Sequence, residues 1–328
     1  MRSDVAIIGA GIAGLAAAKT LVDSGKSVAI IDKSRGVGGR MATRRIDDAR
    51  LDHGAQFFTV RGSEFASLID DAIAAEVVAV WTRGFSKEDG YPRYACPGGM
   101  TGLAKWLSGT LIDRGAELAL ARRIETIGHD GDDWLLGDDD GIVCTASHVV
   151  VTTPVPQALD LFANSHFVPD PVAASALAEI NYHRVMALLV TLDGSPAIPP
   201  PGAIQADQEA LFSFIADNMA KGVSNTGAVT FHVNHETSAQ RWDDSNNDVI
   251  TDLLNEAKPW IGDATVRSVE LQKWRYAGPI TPHSERSVTV ATQPGLIVIG
   301  GDAFGGPKVE GAFNSGLACG RAILSHTP

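Results

Sequence analysis

The sequence predicts an α/β protein with a discontinuous Rossmann-type dinucleotide-binding domain and a second, sheet-containing domain. A strand, a glycine-rich turn, a helix and a second strand follow one another from Asp4 to Ile31. A further strand and a small-residue helix stand near the other end, at Leu296–Gly300 and Gly311–Ile323. Several segments between these two regions look like strands, and together they predict a second sheet.

Composition limits the function classes. The chain has 328 residues, 45% of them apolar, which suits two domains with sizeable cores. A formal net charge of −12 argues against a nucleic-acid or anionic membrane surface, because both need clustered cations. Cys96, Cys144 and Cys319 indicate neither a disulfide framework nor a zinc site, so we expect a reducing, cytoplasmic location. Glycines interrupt the apolar run Val5–Ala18, so we interpret it as folded protein rather than a signal peptide.

The first elements form a βαβ unit. Asp4–Ile8 is a β-branched run that predicts a strand, and the alanine- and leucine-rich Ala13–Val22 predicts a helix that ends at Gly25. Ser27–Ile31 predicts the second strand.

The turn of this unit carries a GxGxxG pattern at Gly9, Gly11 and Gly14. The first glycine permits a tight turn, the second lets a pyrophosphate approach the backbone, and the third lets helix and strand pack closely. Asp32 follows the second strand, 18 residues after the last glycine, where a carboxylate accepts hydrogen bonds from ribose hydroxyls. The unit predicts a dinucleotide site and leaves NAD and FAD as alternatives.

The segment DKSRGVGGR, which starts at Asp32, resembles the pattern of the FAD-binding amine-oxidase-like family. By that resemblance, Gly38 and Gly39 keep the chain flat beside FAD, and the guanidinium of Arg40 supplies charge and paired donors to the pyrophosphate. Arg44 and Arg45 are expected to be solvated.

Two more segments extend the resemblance. In LDHGAQFFTVRG, the stretch from Gly54 to Phe57 is expected beside the isoalloxazine ring, while His53 is interpreted as structural rather than as a catalytic base. In the carboxy-terminal segment, the resemblance implies that Asp302 accepts hydrogen bonds from the ribityl chain and that the following helix points its positive end at the flavin. The implied FAD-binding residues are Gly9, Gly11, Ala13, Gly14, Asp32, Lys33, Arg40, Met41, Gln56, Phe57, Ile124, Asp302, Gly311, Ala312 and Asn314.

The middle of the chain completes the predicted domains. Pro97–Leu111 predicts a glycine turn and an amphipathic helix, Glu117–Ile127 a strand whose Ile124 side meets the adenine in this family, and His148–Thr153 a buried strand. The predicted FAD-binding domain comprises residues 1–59, 98–156 and 287–328, and the predicted substrate domain 60–97 and 157–286. This is the architecture of the p-hydroxybenzoate hydroxylase and amine-oxidase-like flavoproteins.

The substrate domain is expected to contain a sheet that covers the flavin. Asn181–Leu192, Ala228–Asn234 and Ser268–Pro279 each predict a strand. The KWRYA sequence in the last of them resembles renalases and their bacterial relatives, as do the DxGAQFF and PGGM sequences and the chain length.

Candidate catalytic groups are few. The sequence has no recognisable Ser/His/Asp or Cys/His nucleophile arrangement and no metal-ligand spacing. His232 and His235 would lie on opposite faces of one strand, so they are not expected to bind a metal. Amine oxidases of this superfamily usually place a lysine near the flavin, whereas this chain has His183 and Arg184 at the comparable position.

The renalase resemblance implies an FAD-dependent oxidase of 2- or 6-dihydro isomers of NAD(P), with oxygen as acceptor and hydrogen peroxide as product. Such a hydride transfer needs positioning but no acid or base. The alternatives are an amine oxidase or desaturase and a non-catalytic binding protein related to GDP-dissociation inhibitors. Candidate substrate-binding residues are Phe57, Phe58, Arg61, Cys96, Pro97, Gly98, His183, Arg184, Trp274 and Tyr276.

Overall fold

The computed structural model describes residues 1–85, 88–207 and 209–326. Along the chain the helices and strands are β1 (Arg2–Ile8), α1 (Ile12–Asp23), β2 (Val28–Ile31), β3 (Thr43–Ile46), β4 (Ala49–Asp52), α2 (Ser63–Ala74), β5 (Ala79–Gly84), β6 (Glu88–Ala95), α3 (Thr101–Asp113), β7 (Glu117–Ala119), β8 (Thr126–His129), β9 (Trp134–Asp138), β10 (Gly141–Val151), α4 (Val155–Ala163), α5 (Pro171–Ala178), β11 (Tyr182–Asp193), β12 (Ala203–Gln205), β13 (Phe212–Asp217), β14 (Gly227–Val233), α6 (His235–Gln240), α7 (Asn246–Ile261), β15 (Thr265–Pro279), β16 (Val288–Ala291), β17 (Ile297–Ile299) and α8 (Lys308–Ser325).

The chain divides into two compact units, and both are discontinuous. Unit 1 comprises Met1–Gly39, Ala104–Asn181 and Gly278–Pro328, and unit 2 comprises Arg40–Leu103 and Tyr182–Ala277. These bounds differ from the predicted domains, since residues 40–59 and 98–103 lie in unit 2 and residues 157–181 and 278–286 in unit 1. The functional division into cofactor and substrate domains stays a prediction.

Unit 1 is built on an eight-stranded sheet with the central order β16-β17-β10-β1-β2-β7, extended by β9 and β8. β17, β10, β1, β2 and β7 run parallel, so their carboxyl ends meet at one edge. The helices α1 and α8 pack closely against each other through small residues. A Cβ atom at Gly316 would lie 2.0 Å from the carbonyl oxygen of Ala13, so only glycine permits this approach.

Unit 2 contains a five-stranded antiparallel sheet with the order β12-β13-β14-β11-β15. Alternate residues of β11 face opposite sides. Met186 and Leu188 pack with residues of α7, whereas Ala187 and Leu189 pack with the β3–β4 hairpin. We call these two sides the helix face and the hairpin face.

The predicted elements are largely confirmed. The strands predicted at Asp4–Ile8, Ser27–Ile31, His148–Thr153, Asn181–Leu192, Ala228–Asn234, Ser268–Pro279 and Leu296–Gly300 correspond to β1, β2, β10, β11, β14, β15 and β17. The helices predicted at Ala13–Val22, after Pro97 and at Gly311–Ile323 correspond to α1, α3 and α8.

Two predictions about local structure were wrong. Glu117–Ile127 is not one strand, because the chain leaves the sheet between β7 and β8 at Ala121, whose φ is +55°. There the main-chain nitrogen of Ala121 donates to the oxygen of Ser34 and that of Arg122 to the oxygen of Asp32. His235 does not share a strand with His232, because Asn234 caps the helix α6, which His235 begins.

Candidate functional site

The glycine turn between β1 and α1 has the geometry that a dinucleotide requires. Gly9 has a φ of +114°, which favours glycine. A Cβ atom at Gly14 would lie 1.9 Å from the carbonyl oxygen of Gly9, so helix and turn touch there. A Cβ atom at Gly11 would meet nothing within 4 Å, so the backbone is open at the residue that caps α1. An open glycine at a helix amino-terminus fits a pyrophosphate group.

Polar groups stand at the carboxyl edge of the unit 1 sheet. The carboxylate of Asp32 accepts hydrogen bonds from the main-chain nitrogens of Ala10 (2.6 Å) and Ser34 (2.7 Å), which fixes its orientation after β2. Thr153, just after β10, has a buried hydroxyl oxygen with no hydrogen-bond partner among the described protein atoms. A buried polar atom of this kind at the predicted nucleotide edge fits a bound ligand.

The other predicted residues of unit 1 lie in distinct places. Ala13 is buried in the first turn of α1, and Ile124 is buried in the segment between β7 and β8. Lys33 is exposed at its position, and its Nζ donates to Gln157 Oε1 at 2.7 Å. Their contacts with the cofactor remain predictions.

The carboxy-terminal motif forms a second glycine-dependent turn. The main-chain nitrogen of Gly301, whose φ is +136°, donates to Ser315 Oγ at 2.8 Å. Asp302 follows and is only 8% exposed. A Cβ atom at Gly311 would lie 2.0 Å from the carbonyl oxygen of Gly306. Because α8 begins at Lys308, the predicted residues Gly311, Ala312 and Asn314 lie in its first two turns, and the first of these turns is the positive end of the helix dipole.

In unit 2, Arg40 is held by its own unit. Its Nη1 donates to the carbonyl oxygen of Tyr276 at 3.1 Å, and its guanidinium lies 5.9 Å from the centroid of the Tyr182 ring. A Cβ atom at Gly54 would lie 2.0 Å from the carbonyl oxygen of Arg40, which explains the glycine of the GAQFF segment. Met41 is 3% exposed, so its side chain belongs to the core.

A buried ion pair lies beneath the GAQFF segment. Lys221 Nζ is 2.8 Å from Asp52 Oδ2, and both side chains are fully buried. Lys221 Nζ also donates to Gln56 Oε1 at 3.2 Å, while Gln56 Nε2 donates to the main-chain oxygen of Asp52 at 2.7 Å. The amide of Gln56 is therefore used within unit 2. Lys221 was not among the predicted site residues; Asp52, at the end of β4, is fully buried, and a buried carboxylate requires a buried partner of this kind.

His53 follows Asp52 and is nearly enclosed. Its ring is stacked on Trp274 with 5.2 Å between ring centroids and 10° between planes, and Trp274 Nε1 donates to the main-chain oxygen of His53 at 2.7 Å. Burial lowers the pKa of His53 to about 4, assisted by the positive charge of Arg44. Burial likewise lowers the pKa of His232 to about 4, against a hydrogen bond to the main chain of His53 that raises it. Both imidazoles are therefore neutral near pH 7.

The two phenylalanines of GAQFF differ. Phe57 is partly exposed and packs against Phe85 and Phe214, with centroid distances of 5.1 and 5.8 Å. The assignment of Phe58 to a substrate surface was wrong. Phe58 is 3% exposed and lies in the core between Phe65 and Tyr94, because successive residues of an extended chain point to opposite sides.

In the turn from Cys96 to Gly98, the main chain remains the candidate for contact with substrate. Cys96 is fully buried, and burial raises the pKa of its thiol to about 12, so it is not a nucleophile. Pro97 is exposed. The main-chain nitrogen of Gly98 donates to the oxygen of Gly222 at 2.9 Å.

The predicted substrate-binding residues do not all lie on one surface of unit 2. Arg184 lies on the helix face, 5.2 Å from the centroid of the Trp242 ring, because it shares the side of β11 occupied by Met186. Trp274, by contrast, contacts His53 on the hairpin face, so these two candidate substrate-binding residues lie on opposite faces of the sheet.

The other polar candidates differ in exposure and contacts. His183 pairs with the exposed His235 at a centroid distance of 4.4 Å, and burial lowers the pKa of His183. Arg61 is exposed, and Tyr276 packs edge-on against Tyr182.

Residues 1–85, 88–207 and 209–326 contain neither a metal-binding cluster nor a membrane-spanning helix. No group of three or more His, Cys, Asp or Glu side chains in these residues could hold a metal ion. None of the helices in the same residues is both long and apolar enough to cross a membrane.

Comparison with known proteins identifies the family. Residues 74–324 match the model of the flavin containing amine oxidoreductases, and residues 7–72 match an NAD(P)-binding Rossmann-like domain. Mouse (Mus musculus) renalase is 22% identical over 96% of this chain and 97% of its own length. Putrescine oxidase of Kocuria rosea is 41% identical over 71 residues, which are 22% of this chain and 15% of that protein.

A solved structure supports the same architecture. A protein of Exiguobacterium sp. 255-15, described as a protoporphyrinogen oxidase, aligns with a TM-score of 0.73 at 14% identity, covering 99% of each chain. At this identity the likeness shows the fold alone. The glycine turns fit a dinucleotide and the matched family identifies it as FAD, so the chain belongs to the flavin containing amine oxidoreductase family as an FAD-dependent oxidoreductase.

Proposed function

We propose that this chain is an FAD-dependent oxidase of 2- or 6-dihydro isomers of NAD(P), which yields NAD(P)+ and hydrogen peroxide. Two relatives favour different substrates, and the lengths of the chain over which they are similar differ. The similarity to mouse renalase extends over 96% of this chain, whereas the similarity to Kocuria rosea putrescine oxidase covers 22% of it. The resemblance to renalases therefore provides the substrate class of the proposal.

The observation that carries the proposal is that the titratable groups next to the GAQFF segment in the described part of unit 2 are unsuited to accept a proton near pH 7. His53 and His232 are neutral because burial lowers their pKa values to about 4, and Lys221 is paired with Asp52. Bound FAD supplies the acceptor for a hydride and passes the electrons on to oxygen. A dihydropyridine loses its hydride without breaking an N–H or O–H bond, so the protein needs only to position it.

Aromatic surfaces of unit 2 are the proposed positioning groups. The partly exposed ring of Phe57 is held by Phe85 and Phe214, and the indole of Trp274 is held by its stack on His53. Rigid flat rings suit a nicotinamide ring, which is itself flat and weakly polar. The backbone of Cys96–Gly98 is the proposed close-approach edge.

The main alternative is oxidation of an amine, which the local similarity to putrescine oxidase favours. Amines are protonated near pH 7, so this reaction requires removal of a proton before or during hydride loss. Buried neutral histidines such as His53 are poor proton acceptors at that pH.

Anaerobic mixing of the FAD-loaded protein with a substrate panel tests the proposal. The 2- or 6-dihydro isomers of NAD(P) should bleach the flavin absorbance rapidly, while ordinary 4-dihydro NADH should react at least tenfold more slowly because its hydride leaves from a different ring carbon. Putrescine and other primary amines should leave the flavin oxidised. Rapid bleaching by an amine together with no reaction of the isomers would refute the proposal and support an amine oxidase.

A further inference from the structure

Lys221 lies in the loop between β13 and β14, and its side chain has no exposed surface. Its ammonium contacts three groups, namely Asp52 Oδ2 at 2.8 Å, Gln56 Oε1 at 3.2 Å, and the indole of Trp81, whose centroid is 5.2 Å away. A fully buried lysine is rare and costs much desolvation energy unless it is paired. These three contacts offset the desolvation cost of burying Lys221.

Asp52, the partner of Lys221, joins separate parts of unit 2. Its Oδ1 accepts hydrogen bonds from Thr43 Oγ1 and from the main-chain nitrogen of Met100. Its main-chain nitrogen donates to Asn218 Oδ1 at 3.0 Å, and its main-chain oxygen accepts from Thr230 Oγ1 at 2.8 Å. The ion pair is thus the centre of a network in which each polar group has a partner.

The loop that carries Lys221 also holds the Cys96–Gly98 turn. Gly222 accepts the hydrogen bond from the main-chain nitrogen of Gly98 at 2.9 Å. The loop itself is braced by Asp217 Oδ1, which accepts from the main-chain nitrogens of Met219 and Ala220. One short loop therefore contacts both backbone segments that are candidates for binding substrate.

The aromatic group around Phe57 is tied to the same lysine. Trp81 lies edge-on to Phe85 with 5.4 Å between centroids, and Phe85 lies edge-on to Phe57. Lys221 therefore reaches the GAQFF segment twice, through the hydrogen bond to Gln56 and through the indole that begins this aromatic series.

We propose that Lys221 is a positioning residue, which with Asp52 as its counter-charge fixes the Gln56–Phe57 segment and the Cys96–Gly98 turn relative to each other. The description of these segments as substrate-binding rests on the proposed function. The claim that Lys221 fixes these two segments relative to each other does not rest on the proposed function, because it follows from contacts within unit 2.

The test compares the FAD-loaded wild type with Asp52→Asn/Lys221→Met. Lys221→Met alone would leave a buried carboxylate without a counter-charge, which is strongly destabilising by itself and would obscure any effect on positioning. The double variant removes both charges. The asparagine introduced at position 52 keeps an acceptor for Thr43 and Met100, and the methionine introduced at position 221 keeps the approximate length of the lysine side chain. Lys273→Met is the matched control, because Lys273, like Lys221, lies close to an indole, at 5.7 Å from its centroid, but donates to the main-chain oxygen of Trp242 on the helix face.

Hydrogen exchange measured by mass spectrometry is the first readout. Amides of residues 53–58 and 96–100 should exchange at least tenfold faster in the double variant, with wild-type FAD content, and at the wild-type rate in Lys273→Met. Gln56→Leu, which leaves no unpaired charge, should accelerate exchange in residues 53–58 only. Wild-type exchange of both segments in the double variant, or of residues 53–58 in Gln56→Leu, would overturn the proposal.

Flavin reduction is the second readout. If the segments orient the substrate, the limiting rate constant for reduction by a dihydro-NAD(P) isomer should fall at least tenfold in the double variant, with less than threefold change in the half-saturating concentration. An unchanged limiting rate constant would contradict positioning. If the wild type is reduced by none of these isomers, the proposed function fails, and the exchange measurement alone decides the role of Lys221.

Discussion

Replacement of single glycines in the first turn separates what the cofactor requires from what the protein requires. Gly11 has φ −76° and ψ 176°, a backbone conformation open to any residue, and an added Cβ would meet nothing within 4 Å. At Gly14 the added Cβ would lie 1.9 Å from the carbonyl oxygen of Gly9 and 3.0 Å from Thr152 Oγ1. Gly11→Ala should therefore keep the stability of the wild type, while Gly14→Ala should be less stable.

The expected magnitudes follow from these distances. In Gly11→Ala, poorer helix capping and a smaller unfolded-state entropy oppose each other, so the free energy of unfolding should change by less than about 1 kcal/mol. In Gly14→Ala the turn and helix must separate by more than about 1 Å, which costs about 1–3 kcal/mol. A methyl group at Gly11 would occupy the path of the pyrophosphate, so we expect FAD affinity to fall at least tenfold, or about 1.4 kcal/mol.

Both quantities can be measured on deflavinated protein. Urea unfolding gives the stability of each variant, and titration with FAD followed by flavin fluorescence gives the affinity. If Gly11→Ala bound FAD as tightly as the wild type, the backbone at Gly11 would not lie beside the cofactor. A Gly14→Ala variant of wild-type stability would refute the packing argument.

Three further predictions concern the carboxylate, the buried histidine and the indole. Asp32→Ala should weaken FAD binding by roughly 1–3 kcal/mol, since the ribose hydroxyls lose a charged acceptor. Asp4→Ala, which removes a similarly bonded carboxylate near the start of β1, should leave FAD affinity unchanged. If Asp32→Ala bound FAD as tightly as the wild type, Asp32 would not be part of the FAD site. Because burial lowers the pKa of His53 from 6.5 to about 4, its stabilising contribution is complete above pH 6.5 and is lost as the pH falls toward 4. The free energy of unfolding, measured with urea, should therefore fall by about 2 kcal/mol between pH 7 and pH 5. His53→Gln should reduce this pH dependence, and His129→Gln, at an exposed position, should leave it unchanged. Trp274→Ala should lower the rate of flavin reduction by dihydro-NAD(P) isomers more than it lowers FAD content, and Trp260→Ala, on the helix face, should keep that rate; parallel losses in rate and FAD content would show that the indole only supports the fold.

The sequence by itself determined the elements whose causes are local. Gly9 is required by its own positive φ and Gly14 by its contact with Gly9 in the same turn, and the strands β1 and β2 follow from apolar runs of a few residues. The order of a βαβ unit is then restricted by chain connectivity. For these reasons the fold class, the FAD cofactor and the elements that carry the two glycine motifs could be predicted, and the one failed strand broke at Ala121, whose positive φ depends on hydrogen bonds to another loop.

Only the tertiary structure decided which side chains meet. Lys221 and Asp52 are 169 positions apart, and no pattern of neighbouring residues connects them. Phe57 and Phe58, or Arg184 and Trp274, look equally suitable as contact residues until strand direction and face are known. The pKa of His53 depends on burial by distant residues, so its neutrality was also beyond the sequence. Periodicity and turn chemistry act over a few residues, whereas burial and pairing depend on contacts that only the folded chain creates.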